Sequence, residues 1–233
     1  MTPEQTAGRT LVERDAELAR LDAVLAGARS GEGATLVIEG PAGIGKTSLL
    51  ASARERAGEN GMVVLHARGA QLERDYAMGL VRQALEPVVR DERDRERLFA
   101  GAARLAREVL LDFSERAEAA PVGVLHGLYW LTANLAERAP LLLAIDDAHW
   151  ADEPSLRFLA YLARRVESVA VALVIATRVS EDAAPLAEIW GGNSLRSGDG
   201  AGASDAACGR RGRDGVARVR LPLGGGGVCA GVP

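Results

Sequence analysis

One eight-residue stretch constrains the fold of this chain more than any other. Residues 40–47 read GPAGIGKT and match the phosphate-binding loop pattern G-x-x-x-x-G-K-[ST] at every fixed position. The apolar residues 36–38 predict a buried strand before the loop, and the residues after Lys46 predict the start of a helix. In such a strand–loop–helix unit, backbone N–H groups and the helix N-terminus can hold a phosphate. A Gly-rich turn without a ligand is the alternative.

The distribution of basic residues favours the phosphate-binding interpretation. Lys46 is the only lysine among the 28 basic residues, and all the others are arginine. A planar guanidinium does not replace a compact ammonium in a narrow phosphate cradle. We therefore expect Lys46 to reach the β- and γ-phosphates of a nucleotide and the Thr47 hydroxyl to bind Mg²⁺. The predicted nucleotide-binding residues are Gly40, Pro41, Ala42, Gly43, Ile44, Gly45, Lys46, Thr47 and Ser48.

A pair of acidic residues supplies the second half of the predicted site. Residues 141–145 are apolar and predict a strand, and Asp146 and Asp147 follow where that strand meets its loop. Because ligands of open α/β sheets lie at the carboxyl ends of the strands, we expect Asp146 to lie at the same edge as Lys46. We assign Asp146 to Mg²⁺ through its water shell, and Asp147 to orienting or deprotonating the attacking water. A turn or helix N-cap pair is the alternative.

The next predicted strand, residues 169–177, ends at the same edge. Thr177 or Arg178 could sense the γ-phosphate there, and an arginine would stabilise negative charge in the transition state. A surface arginine at a strand end is an equal alternative. His149 follows the acid pair, and we interpret it as a packed or capping side chain rather than a catalytic one.

Apolar periodicity predicts strands that alternate with helices, and so a parallel sheet with helices on both faces. The second strand is apolar throughout, which predicts an interior position in the sheet. The predicted helices cover residues 11–29, 45–58, 79–89, 91–111, 122–139 and 152–166, and the predicted strands cover residues 34–39, 62–67, 141–145 and 169–177.

Composition argues against several other classes of protein. The net charge of −4 gives no general attraction to nucleic acid or anionic membranes. No apolar run approaches the roughly 18 residues that cross a bilayer, and residues 1–5 lack a signal-peptide pattern. Cys208 and Cys229 have no metal-binding or redox spacing. We therefore expect a cytoplasmic protein with no membrane partner.

The sequence changes character at about residue 191. Residues 191–233 contain 13 glycines among 43 residues and carry a net charge of +3, whereas the rest of the chain carries −7. This composition predicts a Gly/Arg-rich disordered tail, with a small nucleic-acid patch at residues 210–213 as a weaker alternative. We also hypothesise that the tail is the product of a shifted reading frame.

Several segments together resemble the ATPase domain of STAND-type NTPases. They resemble most narrowly the large ATP-binding regulators of the LuxR family, whose domain is called Orc1-like AAA. The resemblance spans about residues 9–190, which we predict to be a P-loop AAA/STAND-type ATPase domain. The segments that carry it are ERDAEL (13–18), VIEGPAGIGKTSLL (37–50), YAMGLVRQALEPVV (76–89), LLLAIDDAHWAD (141–152) and IATR (175–178).

The resemblance implies a P-loop NTPase three-layer sandwich with a parallel sheet of ASCE order 5-1-4-3-2. It implies that Asp146 lies toward Mg²⁺, that Asp147 is the hydrolytic acid and that Arg178 is a sensor. It also implies that residues 11–14 lie near the adenine. The activity implied is that of a slow, switch-like ATPase that binds ATP or ADP and answers to an unknown inducer or protein partner.

The family's fifth strand, helical lid, repeat region and DNA-binding helix-turn-helix are not visible in this sequence. We therefore expect strand 5 to be missing, and a LuxR-type regulator that lacks its output domain and any DNA-binding element. A non-catalytic nucleotide-binding fragment or an inert truncated product is the alternative. A small-molecule kinase is less favoured, because no substrate-binding arginine lid is evident.

Overall fold

The computed structural model describes residues 14–90, 92–111, 121–178 and 216–221. Its sheet is formed by β1 (Ala34–Glu39), β2 (Val63–Arg68), β3 (Leu141–Asp146), β4 (Val171–Thr177) and β5 (Val216–Arg220). Neighbouring strands are parallel, and their order across the sheet is β2-β3-β4-β1-β5. This is the order 5-1-4-3-2 that the resemblance implies.

Helices cover both faces of the sheet. The described helices are α1 (Asp15–Arg29), α2 (Lys46–Glu59), α3 (Gly79–Val89), α4 (Glu92–Leu98), α5 (Arg107–Leu111), α6 (Val122–Ala136) and α7 (Glu153–Ala163). In the described ranges, no helix is both long and apolar enough to span a bilayer.

Alternating side chains of the central strands enter two separate cores. On β3, Leu141, Leu143 and Ile145 pack into a core shared with α3 to α7. Leu142 and Ala144 point the other way, into a core shared with α1 and α2. Because both faces of a central strand are buried, its sequence reads as a continuous apolar run. The predicted three-layer α/β architecture is confirmed.

The fifth strand corrects the sequence-based prediction that it is missing. Val216–Arg220 pairs in parallel with β1, and Leu221 N donates to Glu39 O at 2.8 Å. Val219 and Leu221 are buried in the core shared with α1 and α2, and Ala217 packs against that core. The prediction of a disordered tail is therefore wrong for residues 216–221.

The physical reason lies in the surroundings of this strand. The apolar residues alternate with period 2, as in a strand with one buried face, but the glycines around them dominate the composition. The hydrogen-bond partners come from β1, far away in sequence. The strand lies beyond residue 190, the predicted limit of the ATPase domain. The other tail residues, with Cys208 and Cys229, lie outside the described part of the chain.

Two further predictions need correction. The second strand, β2, lies at an edge of the sheet rather than in its interior, with His66 and Arg68 exposed. The segment predicted as one helix over residues 91–111 is divided into α4, a 3-10 turn at Gly101–Ala106, and α5. Gly101 has φ +61°, a left-handed conformation that ends a regular helix.

The strand register brings several chain segments to one edge of the sheet. Arg68 on β2 lies opposite Asp146 on β3. Glu39 on β1 lies opposite Thr177 on β4 and opposite Arg220 on β5. The loop at residues 40–47 therefore starts beside the ends of the other strands, as expected for a ligand site of an open parallel sheet.

Candidate functional site

The phosphate-binding loop has a backbone shaped by its glycines. Gly43 and Gly45 have φ values of +76° and +97°, which side chains with a Cβ rarely adopt. The chain then enters α2 directly at Lys46, and the first turn of α2 contains no acidic residue. By contrast, the first turn of α1 contains Asp15 and Glu17. The partial positive charge at the start of α2 is therefore left available for an anion.

Lys46 is buried inside this loop. Its Nζ donates to Gly40 O at 2.8 Å and to Pro41 O at 2.7 Å. Burial lowers the pKa of Lys46, the negative charge of Asp147 opposes that effect, and the positive charge of Arg178 adds to it. The ammonium thus rests on two loop carbonyls, next to the position at which the motif holds phosphate oxygens.

Thr47 and Asp146 join the two motifs. The Thr47 hydroxyl donates to Asp146 Oδ2 at 2.9 Å, although 99 positions separate the two residues. The backbone N–H of Asp147 donates to the other carboxylate oxygen, Oδ1, at 2.9 Å. Both oxygens of Asp146 are therefore held in place at the end of β3.

The donor set at Thr47 and Asp146 fits a magnesium ion. A hydroxyl and a carboxylate are hard oxygen ligands, which Mg²⁺ prefers. Within the described ranges, no group of three or more His, Cys, Asp or Glu side chains could hold a metal ion. Mg²⁺ needs no such cage, since it is usually held by one or two protein groups together with phosphates and water.

Asp147 has an unusual backbone and a strong partner. Its φ of +47° makes it one of two described non-glycine residues in the left-handed region, the other being Met78. Arg68 donates to Asp147 Oδ2 through Nε at 3.0 Å and through Nη2 at 2.8 Å. The hydrogen bond to Asp147 and its charge raise the pKa of Arg68 further. The predicted catalytic acid is thus held by the end of β2.

Gly69 explains how β2 comes so close to the acidic loop. A Cβ on Gly69 would lie 2.5 Å from Asp147 O and 3.0 Å from Ala151 N. The Gly69 N–H donates to Asp146 O at 2.9 Å, which continues the pairing of the two strands. Any larger residue at position 69 would push the acidic loop away from Arg68.

Asp152 is a buried carboxylate that holds two helices. Its Oδ1 accepts from Ser155 N and from Met78 N, both at 2.8 Å, and its Oδ2 accepts from Leu80 N at 3.3 Å. The Ser155 hydroxyl accepts from Val81 N at 3.2 Å. Asp152 therefore caps α7 and the start of α3 together, and it locates the end of the loop that begins at Asp146.

The remaining predicted site residues lie around this edge. Arg178 is exposed at the end of β4, and its charge acts on Lys46. Thr177 is buried, and its hydroxyl donates to the Arg178 carbonyl at 3.3 Å. Of the stretch expected near the adenine, only Arg14 is described, and its Nη2 donates to Ile44 O in the loop at 3.0 Å.

A family model described as "AAA ATPase domain" matches residues 10–175, more than half of the 233-residue chain. The chain belongs to the AAA ATPase domain family. The resemblance to an AAA-type ATPase domain is thereby confirmed. AAA ATPase domains as a class bind ATP with Mg²⁺.

Comparison of this AAA domain with solved structures finds a match to a chain in the "Structure of Drosophila ORC bound to GC-rich DNA and Cdc6". The two chains share 17% sequence identity with a TM-score of 0.37, and the match covers 81% of this chain. It covers 60% of that chain, so this AAA domain spans about 60% of its length. A search of curated proteins found no match.

The sequence-based predictions missed three residues that shape the candidate site. Arg68 and Gly69 follow an apolar strand, and a charged residue at that strand end was the available signal. Asp152 was expected only to open a helix, since its second set of contacts comes from residues 78 and 80. Such distant contacts leave no periodic pattern.

Proposed function

We propose that this AAA domain is a Mg-ATP-binding signal-transduction ATPase of the STAND type. It would act in the cytoplasm as the nucleotide-dependent switch of a LuxR-type regulator, with an inducer or protein partner still to be identified. The observation that carries the proposal is the hydrogen bond from Thr47 to Asp146 Oδ2. It brings together the two side chains that a nucleotide-bound Mg²⁺ requires.

Residues 40–48 would hold the phosphates. The N–H groups at the start of α2 would face the phosphate oxygens, and Lys46 would exchange its contacts with Gly40 O and Pro41 O for contacts with the nucleotide. Thr47 and Asp146 would hold Mg²⁺, which supplies charge neutralisation for the phosphates when it is bound. The binding of ATP therefore changes the partners of several loop groups at once.

Asp147 would orient the attacking water and accept its proton. Its Oδ2 accepts two hydrogen bonds from Arg68, so Arg68 competes with water for this oxygen. Arg178 lies exposed at the same edge and would stabilise the charge that develops on the γ-phosphate. A site with its acid held in this way suits slow hydrolysis and a long-lived ATP state.

The contact between Arg68 and Asp147 also favours a second candidate function. If Arg68 never releases Asp147, the domain binds nucleotide without turning it over, and acts as a non-catalytic binding module. The two candidates share the nucleotide-binding loop and differ only in whether Arg68 releases Asp147.

Binding is tested by thermal unfolding with and without Mg-ATP. A ligand that binds only the folded chain stabilises it by about 2.7 kcal/mol at a concentration of 100 Kd, which raises Tm by roughly 5–10 °C. We expect this shift for the wild type and its loss for Lys46→Ala. Lys46→Arg is the matched control. It keeps the positive charge but replaces the ammonium by a guanidinium, which should not restore the shift. Equal shifts for wild type and Lys46→Ala would refute the proposal.

Hydrolysis is tested by phosphate release from Mg-ATP under saturating conditions. Asp147→Asn should lower the rate by about 100-fold or more while ATP affinity changes little, because the loss of a general base acts on the chemical step. Arg68→Ala frees Asp147 and should raise the rate if the slow ATPase is correct. Absence of turnover in wild type with ATP binding intact, and turnover gained only in Arg68→Ala, would support the non-catalytic module instead.

A further inference from the structure

An arginine outside the nucleotide-binding loop contacts the backbone of that loop. Arg14 directly precedes α1, and its Nη2 donates to Ile44 O at 3.0 Å. Its Nη1 donates to Glu17 Oε1 at 3.1 Å, and the side chains of Arg14 and Glu17 are only 16% and 14% exposed. The guanidinium is therefore paired with an acid and held between α1 and the loop.

Both ends of this contact are anchored on the same core. Leu21 of α1 is buried in the core shared with α2, and Leu18 N donates to Arg14 O at 2.9 Å. Ile44 packs against that core too, and its Cγ2 would lie 2.9 Å from a Cβ on Gly40. Arg14 is therefore well placed to fix the position of the carbonyl that it binds.

The bound carbonyl lies in the middle of the loop. Ile44 stands between Gly43 and Gly45, the two left-handed glycines. Leu49 N donates to Gly45 O at 3.0 Å, so the hydrogen bonds that lead into α2 begin one residue after Ile44. No described atom lies within 4 Å of the position of a Cβ on Gly43 or Gly45, so this stretch of backbone borders open space.

The contact with Ile44 O also sets the direction of the next N–H group. The peptide bond between residues 44 and 45 is trans, so the Gly45 N–H points away from the carbonyl oxygen that Arg14 binds. A hydrogen bond from a cation polarises the peptide group, which strengthens its N–H as a donor. Arg14 thus both directs and strengthens the Gly45 N–H without lying next to it.

We propose that Arg14 is a positioning residue that holds the peptide between Ile44 and Gly45 in the orientation that binds phosphate. It acts through the Gly45 N–H, on the diphosphate group that ADP and ATP share, rather than by touching the nucleotide. The inference rests on the proposed function, because it requires a nucleotide in the loop. Glycine adopts φ values of either sign, so a peptide flanked by glycines rotates easily, and the grip of Arg14 on its carbonyl removes that freedom.

The first test is the dissociation constant of Mg-ADP, measured by calorimetry for the wild type and for Arg14→Gln. We expect the variant to bind Mg-ADP about tenfold more weakly, the effect of one hydrogen bond from a charged group. Arg14→Lys keeps a charged donor and should recover part of the affinity. Glu17→Gln removes the acid that orients Arg14 and should weaken binding in the same direction by a smaller factor.

Arg29→Gln is the matched control. Arg29 joins the other end of α1 to Asn60, just after α2, through a hydrogen bond of 2.9 Å. This variant should bind Mg-ADP within about twofold of the wild type, because its contact lies away from the loop. Thermal unfolding checks that each variant folds.

A second readout separates positioning of the loop from a contact with the adenine, the role that the resemblance implies for residues 11–14. In ¹H–¹⁵N spectra, the Gly45 amide of the wild type should shift downfield at saturating Mg-ADP, and Arg14→Gln should lose most of this shift at its own saturation. Affinity of Arg14→Gln within about twofold of wild type, or weaker binding with an unchanged Gly45 shift, would overturn this inference and leave the proposed function intact. A wild-type chain that binds no Mg-ADP would overturn the two together.

Discussion

The two halves of the candidate site obtain their shape in different ways. The loop at residues 40–47 takes its backbone shape mainly from neighbours in sequence, through two left-handed glycines and the start of α2, and Arg14 adds one contact to Ile44 O. The segment at residues 146–152 is shaped by residues far away in the chain. Thr47 contacts its first residue, Arg68 its second and Met78 its last.

This difference bears on how substitutions act in the two halves. The shape of the loop depends mostly on its own residues. The position of the acidic segment depends on β2, α3 and the nucleotide-binding loop, because its hydrogen-bond partners lie there. Substitutions in the two halves should therefore change the free energy of unfolding by different amounts.

The largest effect is expected for Asp152→Ala. The substitution leaves the buried N–H groups of Met78, Leu80 and Ser155 without their acceptor, and it removes the cap of α7. We expect a loss of about 3 kcal/mol in the free energy of unfolding, from the cap and the unpaired donors together. Urea unfolding measures it.

Glu153→Ala is the matched control, since it removes the neighbouring acid, whose ion pair with Arg157 is exposed. It should change the free energy of unfolding by less than about 0.5 kcal/mol. If Asp152→Ala is no more costly than Glu153→Ala, the acidic segment is not held by distant contacts and the comparison of the two halves fails.

An intermediate effect is expected for Gly45→Ala in the local half. The φ of +97° at Gly45 puts an added Cβ in strain, although no atom lies within 4 Å of its position. The expected cost is about 1–2 kcal/mol in the free energy of unfolding. Gly58→Ala is the control within α2, at a helical φ with equally open space, and it should stabilise the chain by about 0.5–1 kcal/mol. The same sign for both substitutions would show that backbone strain does not shape the loop.

The smallest effect is the pH dependence of stability that comes from His149, in the segment at residues 146–152. Burial lowers the pKa of His149 in the folded chain, so the unfolded chain binds a proton first as the pH falls below about 6.5. Stability is therefore lost on the acid side, by at most about 1.4 kcal/mol per pH unit for one proton. His149→Phe should lose less stability than wild type between about pH 7.5 and 5.5, as measured by thermal unfolding. Parallel pH profiles would contradict the burial of this ring.

Much of this architecture was predictable from local patterns. The first strand was expected at residues 34–39 and lies there, and α3 was expected at residues 79–89 and lies there. The order of the sheet followed from resemblance rather than from periodicity. Residues 62–67 looked interior because they are apolar, yet β2 is an edge strand whose exposed face carries His66.

The sequence by itself determined the nucleotide-binding loop, because glycine φ angles and a helix start are properties of adjacent residues. It also indicated the acid pair, because two carboxylates directly follow a continuous apolar run. Only the tertiary structure decided that Arg68 holds Asp147, that Asp152 caps two helices and that residues 216–220 complete the sheet. These depend on hydrogen-bond partners supplied from elsewhere in the chain, which no local pattern encodes.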